Sequence, residues 1–130
     1  MFHVTTQSAA SKIAQEGFCV KLVKNLAFGR GVNLYRKIDS VHEHLGRYDD
    51  RREIVLLVCQ VLVGLAHENS SNLDEIVYRN GAGFSKPRYY RPRKGFDSMH
   101  SDDEEKSIWV IPSKNRVYPS YLVTYLWPER

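Results

Sequence analysis

The sequence predicts an α+β domain, because segments with the spacing of amphipathic helices lie among segments with the composition of strands. Residues 7–16 and 38–48 repeat their apolar side chains at helical intervals. Residues 53–64 are rich in β-branched side chains and apolar on both faces, which is typical of a strand at the centre of a sheet. A length of 130 residues favours a single domain.

The composition is that of an ordinary globular domain. Hydrophobic residues make up 42% of the chain and charged residues 26%, a balance that excludes disorder throughout. Neither a glycine period nor a sustained heptad is present, which excludes a collagen-like or coiled-coil rod. The formal charge of +4 is too small to indicate nucleic-acid binding by itself.

The cysteine and histidine content predicts neither a disulfide framework nor a metal site. Cys19 and Cys59 are too few for such a framework, and no histidines lie at zinc-finger spacing. The first residues lack the cationic and apolar regions of a signal peptide, and the longest apolar run has about half the ~20 residues that a membrane-spanning helix needs. We therefore expect two buried, reduced thiols, a nuclear or cytoplasmic location and no membrane association.

The first half of the chain carries helix boundary signals. Residues 2–5 predict a short strand, and Thr6 and Gly17 are suited to begin and end the helix over residues 7–16. Residues 38–48 predict a second helix.

A glycine pair precedes the next short strand. Gly29 and Gly31 are one residue apart and lead into a strand that ends at Tyr35, whereas residues 18–28 show no clear pattern. Such a pair permits either a tight structural turn or a close approach of the backbone to a phosphate. No helix pattern follows directly, so a dinucleotide-binding motif is not indicated.

The second half predicts two further strands after a long connection. Residues 65–95 are polar and contain several Asn, Gly, Arg and Tyr residues, and connections of this length are often functional. Residues 107–111 form an apolar strand pattern. Residues 121–127 alternate between two faces, with Tyr121 and Val123 on one of them.

Charge is concentrated late in the chain. Residues 86–94, KPRYYRPRK, carry five positive charges and two tyrosines, and residues 97–105 carry five acidic side chains. Aromatic residues among basic ones suit nucleotide stacking and phosphate contact. A solvated loop that partly neutralises its acidic neighbour is the alternative.

Four stretches resemble the catalytic domain of the PARP-type, or diphtheria-toxin-like, ADP-ribosyltransferases, and most closely the mono-transferring branch. They are FHVTTQSAASKIAQEGF, FGRGVNLY, EIVLLVCQVLVG and GFDSMHSDDEEKSIWVIPSKNRVYPSYLVTY. The last stretch is the most specific, because its Asp-Ser turn, its apolar strand and its Tyr-Pro-x-Tyr-Leu strand match the family spacing without a gap.

The resemblance implies one short-form domain over residues 1–130 that starts at the histidine motif. It implies the ADP-ribosyltransferase fold, with split antiparallel β-sheets around an NAD cleft and peripheral helices. The implied enzyme cleaves NAD between nicotinamide and ribose and passes one ADP-ribose to a protein acceptor. NAD is its substrate, no metal takes part, and nucleic acid is not expected as a partner. A catalytically inactive, PARP-like pseudo-enzyme that acts as a protein-interaction module is the alternative.

The catalytic residues are assigned by resemblance. His3 matches the histidine that binds ribose, Val4 the residue whose backbone holds the carboxamide, and Thr5 the Thr or Ser that follows it. Ile108 occupies the position of the glutamate that polymer-forming members use, so only mono-transfer is expected. Residues 86–94 lie near the acceptor side of the family domain and are expected to help choose the protein target.

The nicotinamide contacts are assigned in the same way. Asn33 occupies the position of the tyrosine that stacks on the ring, and Tyr35, on the same strand face, is expected to replace it. Gly31 belongs to the turn of the cofactor site. Ser40 is expected to contact the carboxamide and Tyr48 to supply a second ring.

Overall fold

The fold is α+β, as predicted. The computed structural model describes residues 1–19, 29–48, 53–69, 71–79, 82–87, 89–101 and 108–127. In these residues one mixed sheet carries a helix on each face, and a two-stranded hairpin lies outside it.

The elements alternate along the chain. In order they are β1 (Phe2–Thr5), α1 (Gln7–Glu16), β2 (Val32–Tyr35), α2 (Ile38–Tyr48), β3 (Glu53–Val61), β4 (Ala66–Glu68), β5 (Ser71–Arg79), β6 (Ala82–Pro87), β7 (Ser98–His100), β8 (Ile108–Ile111) and β9 (Val117–Leu126). Both helices have the predicted bounds. A short 3₁₀ helix, Lys114–Arg116, precedes β9.

The predicted boundary residues of α1 are confirmed. The Thr6 hydroxyl accepts a hydrogen bond from the Ala9 N–H at 3.2 Å, which satisfies one free donor of the first turn. Gly17 has a φ of +80° and donates its N–H to the Ile13 carbonyl at 2.8 Å. The helix therefore ends in a conformation that glycine adopts without strain.

The glycine turn before β2 is required by packing. Gly31 has a φ of +155°, and a Cβ added there would lie 2.6 Å from the Ile111 carbonyl oxygen on β8. Gly29 has a φ of +110° and adjoins Met99. These contacts support the structural-turn interpretation of the pair. Phe28 lies outside the described residues.

The sheet has seven strands in the order β4-β7-β8-β2-β1-β3-β9. Its pairings are antiparallel except between β4 and β7. Residues 53–64 were expected at the sheet centre; β3 is paired on both sides, with β1 and β9, but lies one strand from the edge. The strand β3 ends at Val61. The next residue, Leu62, donates its N–H to the Arg116 carbonyl.

The stretch 65–95 differs from the long connection that the sequence predicts, because it contains β4, β5 and β6. The strands β5 and β6 pair only with each other, and β4 is an edge strand. Strands in such positions need no apolar run on a buried face, so their sequences resemble a polar loop.

The last strands extend the predicted ones. The strand β8 begins at Ile108, and Ser107 lies outside the described residues. The strand β9 begins at Val117, four residues before the predicted start, and the register between β3 and β9 shifts near Ser120. This irregularity interrupts the alternation of side chains between the two faces, so the sequence pattern predicts the strand only from Tyr121 onward.

A seam between β1 and β2 divides the sheet. Only Phe2 and Tyr35 are in register across it, whereas β1 pairs with β3, and β2 with β8, over four residues each. One half therefore contains β1, β3 and β9, and the other β2, β8, β7 and β4. We expected two small antiparallel sheets; the described strands form one sheet that is joined by a single residue pair.

Two core clusters lie on opposite faces of this sheet. The α1 face contains Ala10, Phe18, Val32, Leu34, Val55, Leu57, Cys59, Trp109, Ile111 and Val117. The α2 face contains Tyr35, Val41, Leu45, Ile54 and Leu56. Because neighbouring residues of a strand point to opposite faces, β2 and β3 each contribute to both clusters.

Candidate functional site

A cavity of about 310 Å³ lies on the α1 face, next to the seam. That volume is at the lower end of the range for small-molecule sites, which is about 300–1,000 Å³. The lining residues come from β1, the end of α1 and the start of β2: His3, Lys12, Ile13, Glu16, Gly17, Phe18, Cys19, Gly31, Val32 and Asn33.

The short link between β1 and α1 explains why the helix end borders His3. A single residue, Thr6, separates the strand from the helix. Four strand residues span about 13 Å and ten helical residues about 15 Å, so α1 returns along β1 and brings its last turn back to the start of the strand.

His3 bridges the seam with its side chain. Its Nδ1–H donates to the Asn33 carbonyl at 2.9 Å, and its ring packs edge-on against Phe18 with 5.1 Å between ring centroids. Burial lowers the pKa of His3, and the bond to the carbonyl offsets part of that shift. The ring is therefore neutral at pH 7, and no described residue bonds to its Nε2, which keeps an acceptor lone pair.

Asn33 carries a buried acceptor. Its side-chain Oδ1 is shielded from solvent and has no hydrogen-bond partner among the described residues. Alternation along β2 points this side chain to the face of Tyr35, opposite to Val32 and Leu34 of the α1-face cluster. Asn33 therefore borders the cavity through its main chain, which includes the carbonyl that accepts from His3.

The end of α1 adds side chains that the sequence analysis did not assign to a site. Lys12 and Glu16 lie one helical turn apart, and Cys19 is an exposed free thiol just beyond the helix. The signal that could have found them is the one-residue link after β1, because it fixes where α1 must end.

Tyr35 and Ile108 lie apart from this cavity. They are directly opposite each other on β2 and β8 and pack in the α2-face cluster, where Tyr35 is 8% exposed. Burial raises the pKa of Tyr35, so its phenol is neutral. The structure thus brings together His3, Gly31 and Asn33 and places the other two proposed catalytic residues on the opposite face.

The remaining predicted contacts are distributed over β1 and α2. Val4 is partly buried in the α2-face cluster, and Thr5 is partly buried beside it on β1. Ser40 is buried on α2. Tyr48 is the last residue of α2, and its side chain lies outside the described residues. The roles expected for all four stay predictions.

The basic segment is held in place by two buried polar residues of the β4 region. The Asn69 amide bonds both the N–H and the carbonyl of Tyr89 at 2.8 Å, and His67 Nε2 accepts the Arg93 N–H at 3.1 Å. The Arg93 guanidinium lies over the rings of Tyr89 and Phe96, 5.6 and 5.2 Å from their centroids. The described part of the segment is therefore ordered by specific contacts.

The first acid after the basic segment is engaged elsewhere. Asp97 pairs with Arg116 at 3.0 Å and accepts the Leu65 N–H at 2.9 Å. Residues 102–105, which carry the other acids, lie outside the described residues. The contacts of Asp97 therefore do not support the alternative in which the acidic residues neutralise the basic segment.

The described residues show neither a metal-binding group nor a membrane-spanning helix. No three His, Cys, Asp or Glu residues in this part of the chain are grouped so as to hold a metal ion. None of its helices is both long and apolar enough to cross a membrane.

Comparison with known proteins gives a distant sequence similarity for this chain. No family model matches the chain. The chain is 28% identical over 133 residues to the human protein mono-ADP-ribosyltransferase PARP12. The match covers 96% of this chain and 16% of that protein, so the chain spans about a sixth of its relative's length. Similarity at this level links the chain distantly to a PARP-type transferase.

Proposed function

We propose that residues 1–130 form a PARP-like domain that binds NAD and transfers one ADP-ribose to a protein side chain, with release of nicotinamide. The observation that carries this proposal is the seam cavity, where the acceptor His3 Nε2 lacks a protein donor among the described residues. The similarity to a mono-ADP-ribosyltransferase over nearly the whole chain supports it.

The donors of NAD match this acceptor. Its ribose hydroxyls would donate to the neutral His3 ring, as the family resemblance implies. The main chain of Gly31 and Asn33 borders the cavity and adds further polar groups. Binding would therefore give the free His3 nitrogen a hydrogen bond in a partly enclosed site.

The reaction requires positioning more than proton transfer. The bond between the nicotinamide nitrogen and ribose C1′ breaks, and its electron pair stays on the nitrogen, so that nicotinamide leaves neutral. An acceptor nucleophile then bonds to C1′ and loses its proton to solvent or to a base. The resemblance aligns Ile108 with the glutamate that polymer-forming members use for chain growth, and the absence of a carboxylate at that position supports a single ADP-ribose as the proposed product.

The protein acceptor is proposed to dock on the basic segment. Its described cations, Arg91, Arg93 and Lys94, are exposed. The segment lies near the cavity, because the Tyr90 carbonyl accepts the N–H of Arg30, the neighbour of the cavity residue Gly31. This geometry suits an acidic stretch on the acceptor.

A catalytically inactive, PARP-like protein-interaction module is the second candidate. The observation that favours it is the burial of Tyr35 and Ile108 on the face away from the cavity. Without an aromatic ring against nicotinamide, a ligand would not be oriented for cleavage.

The proposal is tested by thermal-shift titration with NAD, followed by measurement of nicotinamide release. The wild type should show a saturable rise in Tm, which corresponds to about 2.7 kcal/mol at a hundredfold excess over Kd. His3→Asn retains a donor for the Asn33 carbonyl but removes the Nε2 acceptor, so it should lose most of this shift while staying folded.

The matched control is His100→Asn, because His100 also uses Nδ1 to bond a backbone carbonyl but lies outside the cavity. This variant should bind NAD like the wild type. Binding with nicotinamide release supports the transferase. Binding without release, or the absence of any shift at millimolar NAD, refutes the transferase and supports the inactive module.

A further inference from the structure

The basic segment is fixed to the rest of the protein through its main chain. Asn69 and His67 bond main-chain groups of the segment, and the Tyr90 carbonyl accepts the Arg30 N–H at 2.7 Å. Gly29 lies against the same carbonyl, since a Cβ added there would be 3.4 Å from its oxygen. These bonds use main-chain atoms, so they order the segment without occupying the charged ends of its side chains.

His67 links this anchoring to the position of one charge. Its ring is buried on β4, where Nδ1–H donates to the Glu68 carbonyl at 2.8 Å and Nε2 accepts the Arg93 N–H at 3.1 Å. The ring also packs edge-on against Tyr89 and Phe96, with 5.3 and 5.0 Å between ring centroids. The Arg93 guanidinium lies over the same two rings. His67 therefore fixes both the main chain of Arg93 and the rings on which its side chain stacks.

The stacking leaves the charge of Arg93 accessible. A guanidinium over aromatic rings keeps its positive charge, and Arg93 is exposed, as are Arg91 and Lys94. The acid that follows the segment, Asp97, is paired with Arg116. The described part of the segment thus presents three cations on a main chain that is held at Tyr89, at Tyr90 and at Arg93.

We propose that His67 and Asn69 are positioning residues for the acceptor, because they hold the basic segment in the conformation that binds an acidic peptide. This inference rests on the proposed function, in which the acceptor docks on this segment, and adds the residues that set the affinity of docking. An ordered surface binds more tightly than a flexible one with the same charges, since less conformational entropy is lost on binding.

Ordering and charge make different predictions for this surface. If charge alone determined docking, a variant that loosens the segment but keeps every cation would bind as the wild type does. If ordering also matters, that variant binds weakly, while added salt weakens its binding by the same factor as in the wild type, because the number of charges is unchanged.

Fluorescence anisotropy with a labelled hexaglutamate peptide tests the inference. His67→Leu removes the acceptor for the Arg93 N–H and should weaken peptide binding about tenfold, since ordering the backbone of one residue costs a comparable factor. His67→Gln places a carbonyl oxygen near the position of Nε2 and should restore most of the affinity. Arg91→Gln, which removes a charge instead, should weaken binding by about two- to fivefold.

The matched control is His100→Leu. His100 also donates Nδ1–H to the carbonyl of the next residue but, within the described ranges, forms no hydrogen bond with the basic segment. This variant and Lys114→Gln, which removes an exposed charge outside the segment, should bind the peptide like the wild type. A hexaglutamine peptide should not bind. Thermal unfolding of each variant establishes that it is folded.

Equal peptide affinity in folded His67→Leu and in the wild type would overturn the inference, because charge alone would then explain docking. A wild type that does not bind hexaglutamate would also overturn it, and NAD binding with nicotinamide release would then leave the transferase intact. Peptide binding that depends on His67 in a protein that does not bind NAD would refute the transferase and retain the positioning role, now in the inactive module.

Discussion

His3 joins a structural contact and the proposed ligand-binding role in one ring, and both depend on its protonation state. Burial lowers its pKa, and burial also lowers the pKa of His42, against the opposing effect of Asp39. The unfolded chain takes up protons at these sites near their ordinary value of about 6.5, while the folded chain resists them. Stability should therefore fall as the pH drops below about 6.5.

Thermal unfolding at pH 7.5 and pH 5.5 measures this effect. His3→Asn removes one of the two groups, so the loss of Tm on acidification should be smaller than in the wild type. A variant that loses as much Tm as the wild type would show that His3 does not contribute to the acid sensitivity.

The two thiols should differ in reactivity. Burial raises the pKa of Cys59 to about 11, with a small opposing effect of the positive N-terminus, whereas Cys19 is exposed at the cavity. Because the thiolate is the nucleophile, a thiol reagent at pH 8 should modify one cysteine rapidly in the native protein and both in denaturant.

Mass spectrometry of the labelled protein identifies the modified residue, which should be Cys19. Saturating NAD should slow its labelling, since Cys19 lines the cavity. Rapid labelling of Cys59 in the native state would contradict the packing of β3.

At the scale of elements, β3 should contribute more to stability than the exposed edge strand β9. Leu57 on β3 is 1% exposed, whereas Leu126 on β9 is 77% exposed. Leu57→Ala should cost about 2–5 kcal/mol, because it leaves a cavity in the core. Leu126→Ala should change stability by less than about 0.5 kcal/mol.

Urea denaturation of the two variants gives both values from one method. The substitution is the same in each, so the comparison isolates burial. Equal losses would mean that β9 is covered in solution.

Elements with strong local signals were predictable from the sequence. The helix α1 has an N-cap threonine and a terminal glycine, and α2 has a regular apolar spacing, so their bounds were correct. The strands β4, β5 and β6 were missed, because edge and hairpin strands lack a continuous apolar face. The start of β9 was missed because the irregularity near Ser120 interrupts its alternation.

For the whole molecule, the sequence predicted the α+β class. His3, Gly31 and Asn33 were singled out through motif resemblance, and the structure places all three around one cavity, while their roles stay predictions. The contribution of α1 to the cavity was missed, because it depends on how the helix returns across the sheet. Spacing puts Asn33 and Tyr35 on one face of β2, but which face of the sheet borders the cavity depends on where α1 packs.

The seam between β1 and β2 affects how this fold tolerates change. Each half keeps its own main-chain pairing, and across the seam one residue pair and the His3 side chain provide the described contacts. Substitutions along the seam therefore alter the shape of the ligand site without breaking the hydrogen bonds that hold either half. New ligand preferences can arise there at a smaller loss of stability than anywhere in the core.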